Sequence, residues 1–308
     1  MIGRDVIEAA AARIAGHVRV TPVLRPGVWS DLTPADITLK LEQLQHTGSF
    51  KARGAFNRIL GADAVPAGVI AASGGNHGLA VAYAARVLGH RAEIFVPEIS
   101  NPVKIEALKA QGATVNVVGR DYAEAYEASE ARRAETGALR VHAYDQPEVV
   151  AGQGTTGREF ETQVPDLDTV LVAVGGGGLI GGVAAWFDGR VKVVGVEPTT
   201  SRALHAALEA GNPVDVPVSG VAADSLGARR IGSIAFKIAR TQVERVVLVD
   251  DADIIAARRL LWRDLRVVAE PGGAAATAAL LSGSYVAAPG ERVGVIVCGA
   301  NCHPGDVF

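Results

Sequence analysis

Val170-Leu171-Val172-Ala173-Val174-Gly175-Gly176-Gly177-Gly178-Leu179-Ile180-Gly181-Gly182 decides how this chain folds. Its first five residues are apolar without alternation, as in a strand covered on both faces. Four consecutive glycines follow, then an apolar pattern of helical type. The uncharged run extends to Phe187, 18 residues in all, long enough to suggest a membrane span. Six of these residues are glycine, and each costs a helix about 1 kcal/mol relative to alanine. Strand, glycine loop and helix start describe the run better, and no membrane association is expected. Glycines let the backbone approach a ligand, and a helix N-terminus offers free N–H groups and a positive dipole end. A phosphate is the natural occupant. No Lys-Ser/Thr pair follows, so this is not a P-loop; Glu197, about 20 residues on, keeps a dinucleotide-dependent dehydrogenase open as an alternative of another class.

Outward from this segment, apolar runs at 69–72, 91–96, 114–118, 193–196, 245–249 and 293–297 alternate with helical patterns at 78–88, 103–111, 123–136 and 252–267. Such alternation means βαβ units and parallel sheets, an α/β fold. Two blocks, from about residue 66 to 144 and from about 152 onward, follow each other without a Pro/Ser-rich linker. Two packed lobes with a cleft between them are expected, and 308 residues suit that organisation. The net charge of −3 excludes a broadly basic surface, and with it nucleic acid as a partner. In residues 1–16, Arg4, Asp5, Glu8 and Arg13 interrupt any apolar core, so this is an amphipathic helix rather than a secretory signal. Cys298 and Cys302 cannot build a disulfide framework, and a reducing, cytoplasmic compartment fits.

Of the 30 Lys and Arg residues, six are lysines. Lys104, Lys109, Lys192 and Lys237 fall in solvent-type patterns, and Lys40 in an alternating, strand-like segment. Lys51 lies in Thr47-Gly48-Ser49-Phe50-Lys51-Ala52-Arg53-Gly54, in the first turn of a helix that Ser49 or Thr47 would cap. A helix N-terminus disfavours an ammonium, which favours a neutral, nucleophilic amine. Ser73-Gly74-Gly75-Asn76-His77-Gly78 follows the strand at 69–72. Its N–H groups, with the Ser73 hydroxyl and the Asn76 amide, suit a carboxylate or a phenolic oxygen. Equally, Ser73 or Asn76 merely caps a helix, and His77 alone reads as structural. Val297-Cys298-Gly299-Ala300-Asn301-Cys302 ends the last strand with a partly buried thiol. With no second cysteine pair, no metal is expected there.

Together these segments resemble the fold-type-II pyridoxal-phosphate enzymes, specifically the threonine/serine dehydratase and serine racemase group. The resemblance covers essentially the whole chain. It rests on SFKARG (49–54), SGGNHG (73–78), the tetraglycine loop, VEP (196–198), EPGGA (270–274) and CGAN (298–301), in that order. It implies a tryptophan synthase beta-like fold of two open, twisted parallel-sheet domains. The larger comprises 1–65 and 147–308, the smaller 66–146, and pyridoxal 5'-phosphate sits in the interdomain cleft. It implies Lys51 as the Schiff-base lysine, Phe50 packing on the ring, and Asn76 bonding the phenolic oxygen. Gly175, Gly176, Gly177, Gly178 and Leu179 would cradle the phosphate, and Cys298 would face the pyridine nitrogen. Ser73, Gly74, Gly75, Asn76 and His77, with Gln153 and Gly154 nearby, would receive the substrate carboxylate.

The implied reaction is β-elimination from a β-hydroxy amino acid, L-threonine or L-serine by default, to a 2-keto acid and ammonia. A 3-hydroxyaspartate substrate, its second carboxylate met by Arg229 or Arg230, and racemisation remain alternatives on the same fold. Two departures bear on these. Racemases of the group carry a second serine where this chain has Gly74, which has no proton to give. Relatives that bind a divalent cation use the VEP glutamate with an aspartate where this chain has Ala203, so a cation site at Glu197 is weakened. The family suggests a homodimer. Because the chain reaches Phe308 soon after CGAN, a catalytic unit without an appended regulatory domain is expected.

Overall fold

The computed structural model describes residues 2–29 and 32–307; Met1 and Phe308, the ends used in the readings above, lie outside them. The strands are β1 (Val23–Leu24), β2 (Asp36–Leu41), β3 (Val69–Ala72), β4 (Ala92–Val96), β5 (Thr114–Val117), β6 (Leu139–Arg140), β7 (Thr169–Ala173), β8 (Lys192–Pro198), β9 (Arg245–Val249) and β10 (Arg292–Val297). The helices are α1 (Arg4–Ile14), α2 (Lys51–Leu60), α3 (Asn76–Val87), α4 (Pro102–Ala110), α5 (Tyr122–Thr136), α6 (Pro147–Gln163), α7 (Gly178–Phe187), α8 (Ala203–Ala210), α9 (Ala223–Leu226), α10 (Ser233–Gln242), α11 (Asp251–Leu265) and α12 (Pro271–Leu281). The strands form two sheets, ordered β1-β2-β10-β7-β8-β9 and β5-β4-β3-β6. All pairings are parallel except β1 with β2.

The apolar runs become strands within a residue or two of where the pattern puts them. Uniform burial holds for β3 and β7 and fails for β5 and β9, which are edge strands with residues open to water. A two-residue strand such as β1 or β6 carries too little pattern to read. All ten residues of α7 are buried, so the tetraglycine loop opens an enclosed helix rather than a surface one. Among the described residues no helix is long and apolar enough to cross a membrane.

Two packing features carry the site. First, α2 lies at the junction of the sheets: its Ala52, Ala55, Phe56 and Ile59 join Val69, Ile94 and Val96 of the smaller sheet in one apolar cluster. Second, β2 does not alternate. Its last five residues are all buried, Lys40 among them with no exposure. The Lys40 ammonium donates to Thr21 O at 2.6 Å, Glu159 Oε1 at 2.5 Å and Gln163 Oε1 at 2.7 Å. Arg53, two residues past Lys51, grips Glu42 through Nε at 2.8 Å and Nη2 at 2.7 Å, and meets Glu159 at 3.0 Å. Breaking such a buried set from one side typically costs about 3–5 kcal/mol, because a partner charge is left uncompensated. The cluster thereby anchors the start of α2.

Candidate active site

Lys51 is the first residue of α2, and the chain before it is held by backbone. Ser49 bridges to Gly299, and Phe50 N donates to Cys298 O at 3.2 Å. The expected cap by Ser49 or Thr47 is not made: Phe50 takes the cap position without a side-chain bond, and the buried Ser49 and Thr47 hydroxyls find no partner. Ser49 is extended and paired with Gly299 through its backbone instead. Lys51 Nζ donates to Ala143 O at 2.7 Å and lies 5.2 Å from the centre of the Phe50 ring. Burial, against the opposing pull of Cys298 and Glu270, lowers its pKa to about 8. Desolvation does what the helix dipole was expected to do.

Facing it, Gly177 has φ +91°, which only glycine adopts without strain. A Cβ on Gly176 would come within 2.2 Å of the Tyr144 ring. The loop is therefore glycine for close approach, and the first turn of α7 offers amides with no acceptor inside the helix. Cys298 is buried at the end of β10, and its Sγ donates to Gly272 O at 3.4 Å. Burial and the nearby Glu270 push the thiol well above its ordinary range, so it is neutral.

Asn76 starts α3. Its Nδ2 donates to Glu270 Oε1 at 2.6 Å, and its Oδ1 accepts from Asn301 Nδ2 at 2.6 Å. Burial raises the Glu270 carboxyl to about 7. His77 is neutral, pushed down to about 3 by burial and by Lys51; its Nε2–H donates to Val141 O at 2.8 Å. Ser73 is not a helix cap: its hydroxyl accepts from Gly75 N at 3.3 Å. Phe50, Lys51, Asn76, Gly175, Gly176, Gly177, Gly178, Leu179 and Cys298 line one inner chamber of about 40 Å³. An outer cleft of about 830 Å³ shares its Lys51 and glycine-loop wall and is lined by Ser73, Gly74, Gly75 and His77 as well.

Other expectations need correction. Gln153 does not face the cleft. It is buried in α6 with its amide against Gly54, because α2 and α6 pack face to face there. Lys104 is no simple solvent residue, since it pairs with Asp224 across the outer cleft. Arg229 and Arg230 line that cleft, but Arg230 is already bound to Asp215 at 2.6 Å and Pro213 O at 3.2 Å. Glu197 is fully buried, and its two oxygens accept from Leu204 N and His205 N at 2.8 Å each. It caps α8 and cannot reach a ribose, which removes the support for the dehydrogenase alternative. Ser225, within the 222–230 segment read as cleft-lining, does line the chamber, whereas Tyr144 and Glu270 line it without a sequence reading behind them. The EPGGA motif could have pointed to Glu270; nothing local marks Tyr144.

Pyridoxal phosphate makes four demands that these residues meet. Its aldehyde needs an amine that can be neutral, and Lys51 is one. Its phosphate needs a concave set of amides, which the glycine loop provides. Its ring nitrogen tolerates a neutral group, which the Cys298 thiol is, and its phenolic oxygen needs a donor, which the Asn76 amide can be. The family model described as "Pyridoxal-phosphate dependent enzyme" matches residues 14–299. The chain belongs to this family, as a lyase of the tryptophan synthase beta-like fold with pyridoxal phosphate as its cofactor. An L-threonine ammonia-lyase of Geobacter sulfurreducens is 38% identical over 301 residues, covering 96% of this chain and 75% of that one. A phenylserine dehydratase of Ralstonia pickettii is 37% identical over 302 residues, covering 96% and 92%. Among solved structures, a threonine deaminase of T.th. superposes with a TM-score of 0.91 at 35% identity, covering 98% of this chain and 99% of that one. Maize serine racemase does so at 0.94 and 33%, covering 98% and 94%.

Proposed function

We propose that this protein is a dehydratase and ammonia-lyase that removes the α-proton and the β-hydroxyl of a small β-hydroxy amino acid, L-threonine or L-serine, to yield a 2-keto acid and ammonia. The observation that carries this is Lys51: an amine with its pKa lowered to about 8, facing the glycine loop and a neutral thiol at the floor of a cleft. When bound, pyridoxal phosphate supplies the electron sink for the charge left at Cα. Lys51 Nζ would hold the cofactor through its aldehyde carbon, and the same amine is the base placed to take the Cα proton. Gly175, Gly176, Gly177, Gly178 and Leu179 would hold the phosphate with N–H groups, with Phe50 beside the cofactor ring. Asn76 would offer its amide to the phenolic oxygen. Ser73, Gly74, Gly75, Asn76 and His77 receive the substrate carboxylate. Cys298, as a neutral thiol, brings no negative charge to its end of the chamber, which suits elimination better than amino transfer.

Racemisation is disfavoured at Gly74, which offers no hydroxyl. A dicarboxylate substrate loses half its support with Arg230 already paired to Asp215. We divide the chain into a larger domain, 1–65 with 147–308, and a smaller one, 66–146; the strands of each sheet fall on either side of that division. We also infer a cytoplasmic homodimer, in line with two unpaired cysteines; sedimentation at micromolar concentration tests the assembly. The function is tested by borohydride fixation of pyridoxal phosphate, with the labelled peptide expected to contain Lys51. Ammonia and keto acid are then measured from the stereoisomers of Ser, Thr and 3-hydroxyaspartate. A colourless protein that takes up no pyridoxal phosphate, or one that releases no ammonia from Ser or Thr, overturns the reading.

A further inference from the structure

The acceptor of Lys51 is the carbonyl of Ala143, in a segment, 142–146, that is neither strand nor helix. Its shape is set by one imidazole. His142 Nδ1 accepts from Tyr144 N at 3.2 Å and from Asp145 N at 2.9 Å. Bonds from a side chain to amides two and three residues on are the pattern by which Asn and Asp tie turns, and here a histidine makes it. The turn is closed from its other side by His142 N donating to Gln146 Oε1 at 2.8 Å. Its consequences reach both walls of the chamber. Tyr144 is pressed onto Gly176, and the Asp145 carboxylate accepts from Ser233 N at 3.1 Å and Ile234 N at 3.0 Å, capping α10.

We propose that His142 is a positioning residue: its Nδ1 gathers the amides of Tyr144 and Asp145 and so turns the Ala143 carbonyl to Lys51 and the Tyr144 ring to the tetraglycine loop. The proposal rests on the reading of Lys51 as the reactive amine. The role requires an unprotonated Nδ1. Burial pushes His142 down to about 4; Arg140 and Lys51 reinforce this, while Asp145 and Glu130 oppose it. The ring also packs edge-on, 4.8 Å from Tyr144 and 6.4 Å from Tyr126 between ring centres. Acceptor and packing are therefore separable. His142→Phe keeps an aromatic ring and loses the acceptor, whereas His142→Asn keeps an acceptor and loses the ring.

The test compares the full-length wild type with both variants in three measurements. They are amide hydrogen exchange at residues 144 and 145 without cofactor, the rate at which pyridoxal phosphate becomes borohydride-fixable at Lys51, and kcat and KM for ammonia release from threonine. For H142F we expect exchange at the two amides to rise about tenfold, and attachment rate and kcat to fall about tenfold at nearly constant KM. H142N is expected to stay within about threefold of wild type. Wild-type exchange and attachment in H142F, or an H142N as impaired as H142F, overturns the proposal. If H142F does not fold, H142A against H142N reads the same difference. If the wild type releases no ammonia from any β-hydroxy amino acid, the proposed function fails, while exchange and attachment still decide the role of His142.

Discussion

Lys40, in β2, and Lys51, at the start of α2, both have pKa values lowered by burial, yet their surroundings differ in two ways. Lys40 is sealed from water and meets the Glu159 carboxylate with two further oxygens. Lys51 opens on the cleft and meets a single neutral carbonyl, with a neutral thiol and a carboxyl raised to about 7 nearby. Desolvation alone does not make a reactive amine. A carboxylate in direct contact opposes loss of the Lys40 proton, and Lys51 has no such contact.

The sharpest way to break this comparison is to exchange the roles. Lys51→Ala is expected to lower ammonia release about a thousandfold or more and to abolish borohydride fixation. Activity within tenfold of wild type would remove Lys51 from the chemistry. Lys40→Met should instead destabilise the fold by about 3 kcal/mol, since Glu159 and Glu42 lose a buried partner. Its kcat per folded molecule, from urea titration combined with active-site counting, should stay within about threefold of wild type.

The pH dependence sharpens the same contrast. Attachment of pyridoxal phosphate needs the neutral amine, so its rate should climb about tenfold per pH unit below pH 8 and level off above it. A climb that continues toward pH 10.5, the ordinary lysine value, would show that Lys51 is not perturbed. Stability follows with a defined sign. The folded pKa lies below the unfolded one, so between about pH 8 and 10.5 the unfolded chain binds more protons. Burying Lys51 therefore costs stability below pH 8, and the cost is relieved as pH rises through that window. Lys51→Met should be more stable than wild-type apoprotein at pH 7 by about 1–2 kcal/mol, with the gap closing toward pH 10.5. A gap that stays constant or widens would contradict the assignment.

The smallest expected effect concerns Gly74. A Cβ there would have its nearest neighbour, Ser100 Oγ, at 3.5 Å, so a serine fits without displacing backbone. Gly74→Ser should add a minor racemisation product, a few per cent of turnovers at most on the order of side reactions. Chiral analysis of recovered substrate measures it, and no product of inverted configuration would mean that Gly74 is not what restricts the enzyme to elimination.

Much of the site was legible because it is local. The strand, glycines and helix start of 170–182 are neighbours in the chain, and so are the residues of the SGGNHG turn. Where reading failed, the cause was distance. The Ser49 cap is lost to a bridge with Gly299, Gln153 is turned into the α2–α6 contact, and Glu270 enters the site through Asn76. Strand alternation also misled at Lys40, because both faces of β2 are covered and the charge is met by Glu159.

By itself, the sequence determined the alternation of strands and helices, the glycine loop that bares helix amides, and the lysine that opens α2. These depend on backbone freedom and apolar patterning over a few residues. The tertiary structure alone decided which of two buried lysines meets a carboxylate, which carboxyl lines the chamber, and which carbonyl accepts from Lys51. Charge state in a protein interior depends on desolvation and on partners that arrive from far along the chain.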